Sequence, residues 1–451
     1  MRGDEVLPRL VIVAAATLTC GPLDGDGFII EPASPSDNAE GKPIADVNGD
    51  GLDDIAVVTE TGRGYVVFGE KSSRRVKLAK LDAKRGAAFD GEPGVRDVAS
   101  AGDVNGDGFN DLLVVAGHPN HSYSDPAPRV YVVFGGPDLA SRDLDALAPE
   151  DGRLLYTIEH SGVYWSEGIG DVNADGFADV ALVEGQCCFL EVRVLYGGDD
   201  LHAVTSEELA DGVAGVALGG AYYVDVHGVG DVNGDGFDDL AFQPFDQFHS
   251  NDPTVHVLFG GGPLAPLNLN EEPVVFDGFT ITSTAIDWSS ISGGADVNGD
   301  GLADILLDAY VVFGKADAAP VVLPEAFADG GGLRIEARPD VARGAAAPKL
   351  VPDRDGDGLT DIALVIRTDD YGAPPLDRAE VVHGLDGPGP VTAEDPRRLR
   401  IDDWPAGAHL GRLGGWGMID GVGGPDLVVS QHSTEDDEAA LIYVYFDPGP
   451  A

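Results

Sequence analysis

Cations are scarce in this sequence. Against 78 aspartates and glutamates it sets only 28 lysines and arginines, a formal charge of -50, and such a surface repels nucleic acid and anionic membranes. Something cationic is the better partner. Cysteine is nearly absent, with three in 451 residues, so disulfides cannot be the scaffold. The apolar run LVIVAAATLT, from Leu10 to Thr19, is too short to span a bilayer. Signatures of catalysis are missing too: there is no nucleophile elbow, no HExxH and no phosphate-cradling glycine loop.

Turn formers are plentiful instead, with 63 glycines and 30 prolines, which points to many short strands. An apolar content of 43% supplies a large core, and length alone would suggest about three domains.

Residues 1–20 read as a signal peptide, because the run from Leu10 has the length of an h-region. The stretch TLTC before Gly21 resembles a degenerate bacterial lipobox, which makes Cys20 a candidate lipid anchor. Asp4 and Glu5 depart from the usual basic n-region. Arg2-Gly3-Asp4 would be removed with the leader and is read as chance. Export places the mature chain at the cell surface, in the outer membrane or periplasm, or outside the cell.

A repeat governs the remainder. Its copies are DVNGDGLDDI from Asp46, DVNGDGFNDL from Asp103, DVNADGFADV from Asp171, DVNGDGFDDL from Asp231, DVNGDGLADI from Asp296 and DRDGDGLTDI from Asp353. A seventh, GMIDGVGGPDLVV from Gly417, keeps Asp426-Leu427 but has lost most of the acids. Each copy is followed by a β-branched, aromatic run: YVVFG at Tyr65, YVVFG at Tyr131, VLYG at Val194, HVLFG at His256, YVVFG at Tyr310, EVVHG at Glu380 and YVYFD at Tyr443. Such runs are strands. A looser element precedes the next copy, as in LLYTIE at Leu154, FTIT at Phe279, LRIE at Leu333 and LRID at Leu399. Each unit is therefore four strands with an acidic loop between the first two.

Seven such units, none able to bury both faces alone, predict an all-β chain: a seven-bladed β-propeller of four-stranded antiparallel blades over residues 24–447. The seventh unit lacks an outer strand, and GFII at Gly27 to Ile30 is the expected replacement. Sharing that blade between both ends of the sequence would close the ring.

The acidic loop suits Ca²⁺, which takes six to eight hard oxygens. In the fourth copy Asp231, Asn233, Asp235, the Phe237 carbonyl and Asp239 stand at positions one, three, five, seven and nine, with a glycine at six for the sharp turn. An EF-hand would need an acid at position twelve and then a helix. Position twelve is instead Val57, Val114, Leu182, Phe242, Leu307 and Leu364, all apolar.

The repeated DxNxDGxxD pattern, followed by an apolar strand, resembles the FG-GAP repeats of the integrin α-subunit propeller and its bacterial relatives. In that family the loop joins the first two strands of a blade and binds Ca²⁺. The resemblance implies about six ions. The ligand sets would be Asp46, Asn48, Asp50, Leu52 and Asp54; Asp103, Asn105, Asp107, Phe109 and Asp111; Asp171, Asn173, Asp175, Phe177 and Asp179. They continue with Asp231, Asn233, Asp235, Phe237 and Asp239; Asp296, Asn298, Asp300, Leu302 and Asp304; and Asp353, Asp355, Asp357, Leu359 and Asp361, position seven acting through its carbonyl throughout. With Met418 at position one and Val422 at position five, the seventh loop is expected to hold no ion.

The connections between second and third strands fall on the face opposite these loops, because antiparallel strands alternate ends. Three are long, carry His121, Tyr123, Phe245, Phe248, His249 and Tyr371, and are candidates for recognising a protein or glycan ligand, or are merely tolerated insertions. Tyr164-Trp165, Tyr222-Tyr223 and Trp288, just ahead of acidic loops, are either core packing or a sugar-stacking ring. His118 and His121 could be metal ligands but have no evident acidic partner, and Cys187-Cys188 could be a vicinal disulfide or two thiols. The reading is a non-catalytic adhesion or protein-binding module. A lectin, a polysaccharide lyase and a purely structural envelope component are the alternatives.

Overall fold

A computed structural model describes residues 27–445, except 35–36, 73–74, 118–125, 159–161, 187–188, 222, 246–253, 269–275, 284–290, 309, 324–329, 336–344, 354–355, 367–377, 385–390, 392–397, 402–411, 423–425 and 431–440. Seven small sheets are arranged as a seven-bladed propeller. In blade one Ala39–Ile44 is the inner strand, followed outward by Asp54–Thr59, Gly64–Val67 and Gly86–Asp90, each antiparallel to the last. The inner strands of the next five blades are Val95–Gly102, Gly162–Gly170, Tyr223–Gly230, Ile291–Ala295 and Ala345–Val351.

Blade seven joins the two ends of the described chain. Arg412–Gly417, Asp426–Ser430 and Ile442–Tyr445 are its first three strands, and Gly27–Glu31 is the fourth. The register runs from Gly27 opposite Tyr445 to Ile30 opposite Ile442. The expected closure by GFII is therefore present.

The core lies between blades, and strand periodicity explains how. Side chains alternate across a strand, so in Asp54–Thr59 the buried Ile55 and Val57 pack with Ile442 and Val444 of blade seven, while Ala56 packs with Val98 and Leu112 of blade two. Both faces are covered, which is why these second strands are unbroken apolar runs and not alternating ones. The apolar residues at position twelve sit there: Val57, Val114, Leu182, Phe242 and Leu307 all have 0% exposure.

A second device ties the blades. The connector from third to outer strand reaches back and pairs in parallel with the outer strand of the preceding blade. Val76–Lys77 joins Gly27–Glu31, Arg142–Asp143 joins Gly86–Asp90, Leu267–Asn268 joins Gly215–Ala221, and Val321–Leu323 joins Gly278–Ser283. Single bridges, Tyr156 to Val204 and Ile335 to Val391, do the same elsewhere. Lys77 Nζ also meets Glu31 Oε2 at 2.7 Å, holding the N-terminal strand in its blade.

One histidine packs among the core aromatics. His256 stacks on Phe242 with ring centroids 5.1 Å apart and meets Phe276 edge-on, and its Nδ1 finds no hydrogen-bond partner among the described residues. Burial pushes its imidazole down to about 4. Between pH 6.5 and that value the unfolded chain binds the proton and the folded chain does not, so this contribution is intact above pH 6.5 and lost as pH falls. His256→Phe should be less acid-sensitive than the parent by about 1–3 kcal/mol at pH 4.5 relative to pH 7.5. Denaturant melts of both proteins at the two pH values measure it.

Candidate functional site: the ring of acidic loops

Each acidic loop connects the inner strand to the second strand of its blade, and its fold follows from side chains capping its own backbone. In loop one the Asp46 carboxylate accepts from Gly49 N at 2.7 Å and Gly51 N at 2.6 Å, Asn48 Oδ1 from Asp50 N at 2.9 Å, and Asp50 Oδ1 from Leu52 N at 2.9 Å. These are stacked Asx turns. Loops four and five repeat the set through Asp231, Asn233 and Asp235, and through Asp296, Asn298 and Asp300. Loops two and three share its later bonds, including position one to the position-six N–H. In loop six Asp353 accepts from Gly356 and Gly358, and Asp357 from Leu359. Asp355 lies outside the described residues.

Position nine is different. Asp54, Asp111, Asp179, Asp239, Asp304 and Asp361 have 0% exposure. In the first five, Oδ2 accepts from the position-two N–H at 2.8–3.0 Å. In all six, Oδ1 accepts from the glycine that ends the third strand: Gly69, Gly135, Gly197, Gly260, Gly314 and Gly384. This explains that glycine: a Cβ on Gly135 or Gly260 would overlap the carbonyl of Asn110 or Asp238. The position-nine carboxylate thus clamps three strands, a role the spacing alone did not reveal.

The seventh loop isolates that role. Met418 and Val422 leave it without acids at positions one and five, yet Asp426 remains, fully buried, and accepts from Asp420 N at 2.9 Å. The clamp spans six residues there and seven in the first five copies, which fits a loop bound by different turns.

The loops also form a seam around the ring. The position-eight N–H of one loop donates to the position-one carbonyl of the loop before it: Asp53 to Met418, Ala178 to Asp103, Asp238 to Asp171, Ala303 to Asp231 and Thr360 to Asp296. Between loops one and two the Asn110 side chain replaces this bond, donating to Asp46 O at 3.0 Å. The position-seven side chain then covers the position-four glycine of its neighbour. A Cβ on Gly106 would stand 2.6 Å from Phe177, and one on Gly49 would overlap Phe109. Position four is left-handed in every described case, with φ of 78° at Gly49 and 65° at Ala174. Gly49→Ala should therefore cost about 2–4 kcal/mol. Ala174→Gly should stabilise by about 0.5–1 kcal/mol, since it relieves a strained non-glycine residue. Equilibrium urea unfolding of the two variants checks both signs.

Electrostatically the loops are acid clusters around a desolvated carboxylate. Burial pushes Asp54, Asp111, Asp239 and Asp304 up to about 7 and Asp179 up to about 8, and the position-five and position-one carboxylates of the same loop add to the rise. The donor chemistry, hard carboxylate, amide and carbonyl oxygens, fits a divalent cation of the calcium type. Side-chain placement is less closed: Asn48 Nδ2 points to Asp50 Oδ2 at 3.2 Å, and among the described residues no three His, Cys, Asp or Glu side chains are grouped to hold a metal.

Other candidates divide. Trp165 is half-buried core, its Nε1 donating to Val226 O at 3.0 Å and its ring against His227, whereas Tyr164 is 42% exposed. Cys20, His118, His121, Tyr123, Cys187, Cys188, Tyr222, Phe248, His249, Trp288 and Tyr371 lie outside the described residues, as do the side chains of Tyr223 and Phe245. No helix among the described residues is long and apolar enough to cross a membrane.

The repeat matches known sequence families. Residues 46–114 match the FG-GAP-like repeat model and residues 96–133 the FG-GAP repeat model. Integrin alpha-4 of Xenopus laevis is 29% identical over 190 residues, which span 41% of this chain and 17% of that protein. Among solved structures, BBS1N in its complex with ARL6DN aligns over 96% of both chains at 10% identity and a TM-score of 0.41. Rhamnogalacturonan lyase YesW aligns over 94% of this chain and 90% of its own at 12% identity and a TM-score of 0.35. The chain carries FG-GAP repeats on a seven-bladed β-propeller and is similar to the integrin α-subunit.

Proposed function

We propose that this chain is an exported, calcium-stiffened propeller that works as a non-catalytic adhesion or protein-binding module. The carrying observation is the ring of acidic loops: six clusters of like charge, each built into the seam between neighbouring blades. A cation at each cluster offsets the repulsion at the joints where blades meet, and so sets the rigidity of the whole ring. Within each loop Asp or Asn at positions one, three and five and the position-seven carbonyl would hold Ca²⁺. Position nine would add to the ion's field while continuing to clamp the strands.

The similarity to an integrin α-subunit supports a protein partner and a surface location, as does the h-region from Leu10 for export. The partner would meet the face opposite the loops. A lyase would need an unengaged base and a cation for the substrate carboxylate. On the inner strands the candidate base His227 is engaged, facing Glu167 at 3.4 Å, and of the cations Lys42 is bound to Asp97 at 2.8 Å while Arg96 makes no ion pair among the described residues. It is the lack of an unengaged base there, among the described residues, that counts against that chemistry.

The test is retention of the mature protein, in millimolar calcium, on immobilised envelope proteins and on polysaccharides, with the polysaccharide eluates assayed for unsaturated sugar ends. Retention on proteins, lost in chelator, supports the module. Unsaturated ends in any eluate would sink the non-catalytic reading.

A further inference from the structure

A cavity of about 290 Å³ opens on the face opposite the acidic loops, between the inner strands of blades two and three. Arg96 and Asp97 form one wall, Tyr164, Trp165 and Ser166 the other, and Pro128 borders it. Its location follows from the chain path: the inner strands Val95–Gly102 and Gly162–Gly170 run from this face toward their acidic loops. Gly117 N, at the end of a second strand, bonds Gly94 O beside it.

Two irregularities converge there. The pairing of Val95–Gly102 with its neighbour slips between Val95 and Asp97, leaving Arg96 as the extra residue. The pairing of Gly162–Gly170 slips between Val163 and Trp165, leaving Tyr164 as the extra residue. Bulges re-aim side chains and gather beside functional sites. Blades one and four have no slip at this end of the inner strand, whereas blades six and seven do. What marks this cavity is that two slips face each other across it and turn Arg96 and Tyr164 to its walls. Arg96 is exposed and makes no ion pair among the described residues. Tyr164 is the one aromatic among the large apolar side chains described as exposed. Asp97 is held in place by Lys42 at 2.8 Å and by the Ser166 hydroxyl at 3.1 Å, which fixes its carboxylate oxygens while leaving lone pairs over.

We propose that this cavity binds one neutral hexose ring. An exposed phenol suits the apolar C–H face of a sugar, and the free guanidinium donors of Arg96 beside the fixed carboxylate acceptors of Asp97 suit its ring of alcohols. The volume is at the lower end of ligand sites, matched to a single ring. A neutral ligand fits the charge best: an anion is opposed by the field of a chain at -50, and a cation by Arg96 at the cavity wall. The site stands apart from the calcium loops and goes beyond the protein-binding reading, since the ring could belong to a polysaccharide or to a glycan on a partner protein.

The experiment is saturation-transfer NMR and titration of tryptophan fluorescence with the methyl glycosides of glucose, mannose, galactose and N-acetylglucosamine, with glucuronate as the charged comparator. At least one neutral glycoside should bind saturably. Its dissociation constant should rise about tenfold in Tyr164→Ala and by a similar factor in Arg96→Ala, with the melting temperature of both variants unchanged because both residues are exposed. Columns of neutral polysaccharide, and of glycoprotein before and after deglycosylation, then identify the source, and Tyr164→Ala should lose retention on whichever column binds. Absence of binding by all four neutral glycosides, binding unmoved by both substitutions, or preference for glucuronate would each overturn the proposal. Each readout is made in calcium and is independent of the chelation melt that tests the loops.

Discussion

Stripping the protein with excess EGTA should lower its melting temperature by on the order of 15 °C relative to the same protein in millimolar calcium. The size follows from the loops. A site whose dissociation constant is a hundredfold below the free calcium stabilises the fold by about 2.7 kcal/mol, and six loops carry the acidic pattern. Unfolding entropy near 2.1 cal/mol/K per residue converts that total to the stated shift for a chain of this length. Magnesium should replace little of the effect, because it demands a smaller octahedral shell. The effect should also appear blade by blade. Asp231→Ala should remove a fraction of the calcium-dependent increment while moving the melt in EGTA by only a few degrees, since in the ion's absence its loss costs exposed turn hydrogen bonds.

The second large effect separates the clamp from the ion. Asp239→Ala leaves the buried Val232 and half-buried Gly260 N–H groups unpaired, at a cost of about 2–5 kcal/mol, and should destabilise in EGTA as well as in calcium. Asp426→Ala is the sharper case, because the seventh loop has no acids at positions one and five. Its buried carboxylate holds Asp420 N, so the loss, about 1–3 kcal/mol, should be equal with and without calcium. Thermal melts of Asp231→Ala, Asp239→Ala and Asp426→Ala in both conditions give the full pattern. If Asp426→Ala were harmless in EGTA, the clamp assignment would fail.

Much of this architecture is legible in the sequence because one unit is written seven times over. The acidic loop, the apolar second strand and the aromatic third strand each have a strong local signal, and the lone GFII finds its place because the seventh unit is one strand short. Outer strands are harder to read. Gly86–Asp90 (GAAFD) and Gly215–Ala221 (GVALGGA) are rich in glycine and alanine, residues with little strand preference of their own, and they are strands because the third strand offers them a ladder. The two-residue latches, such as Val76–Lys77, are set by contact between blades and have no local signal.

In the loops the spacing indicates which residues carry oxygens but not which carry load. Position nine reads as one more ligand, yet it holds the position-two N–H of its own loop and, in blades one to four, a second backbone N–H fifteen or more residues away. The retained Asp426, beside lost acids, was the available clue. Position four draws no expectation from the sequence, and its constraint, the neighbouring loop's Phe or Leu lying over it, appears only when the ring closes.

Calcium stoichiometry tests the central claim most directly. The mature protein, stripped with EGTA and passed into chelator-free buffer, would be titrated with calcium in a calorimeter, and metal content would be measured after dialysis against calcium. Six ions per chain, one per acidic loop, with loss of one in Asp231→Ala and none in Asp426→Ala, is the predicted result. No saturable binding, or a content unchanged by Asp231→Ala, would contradict it.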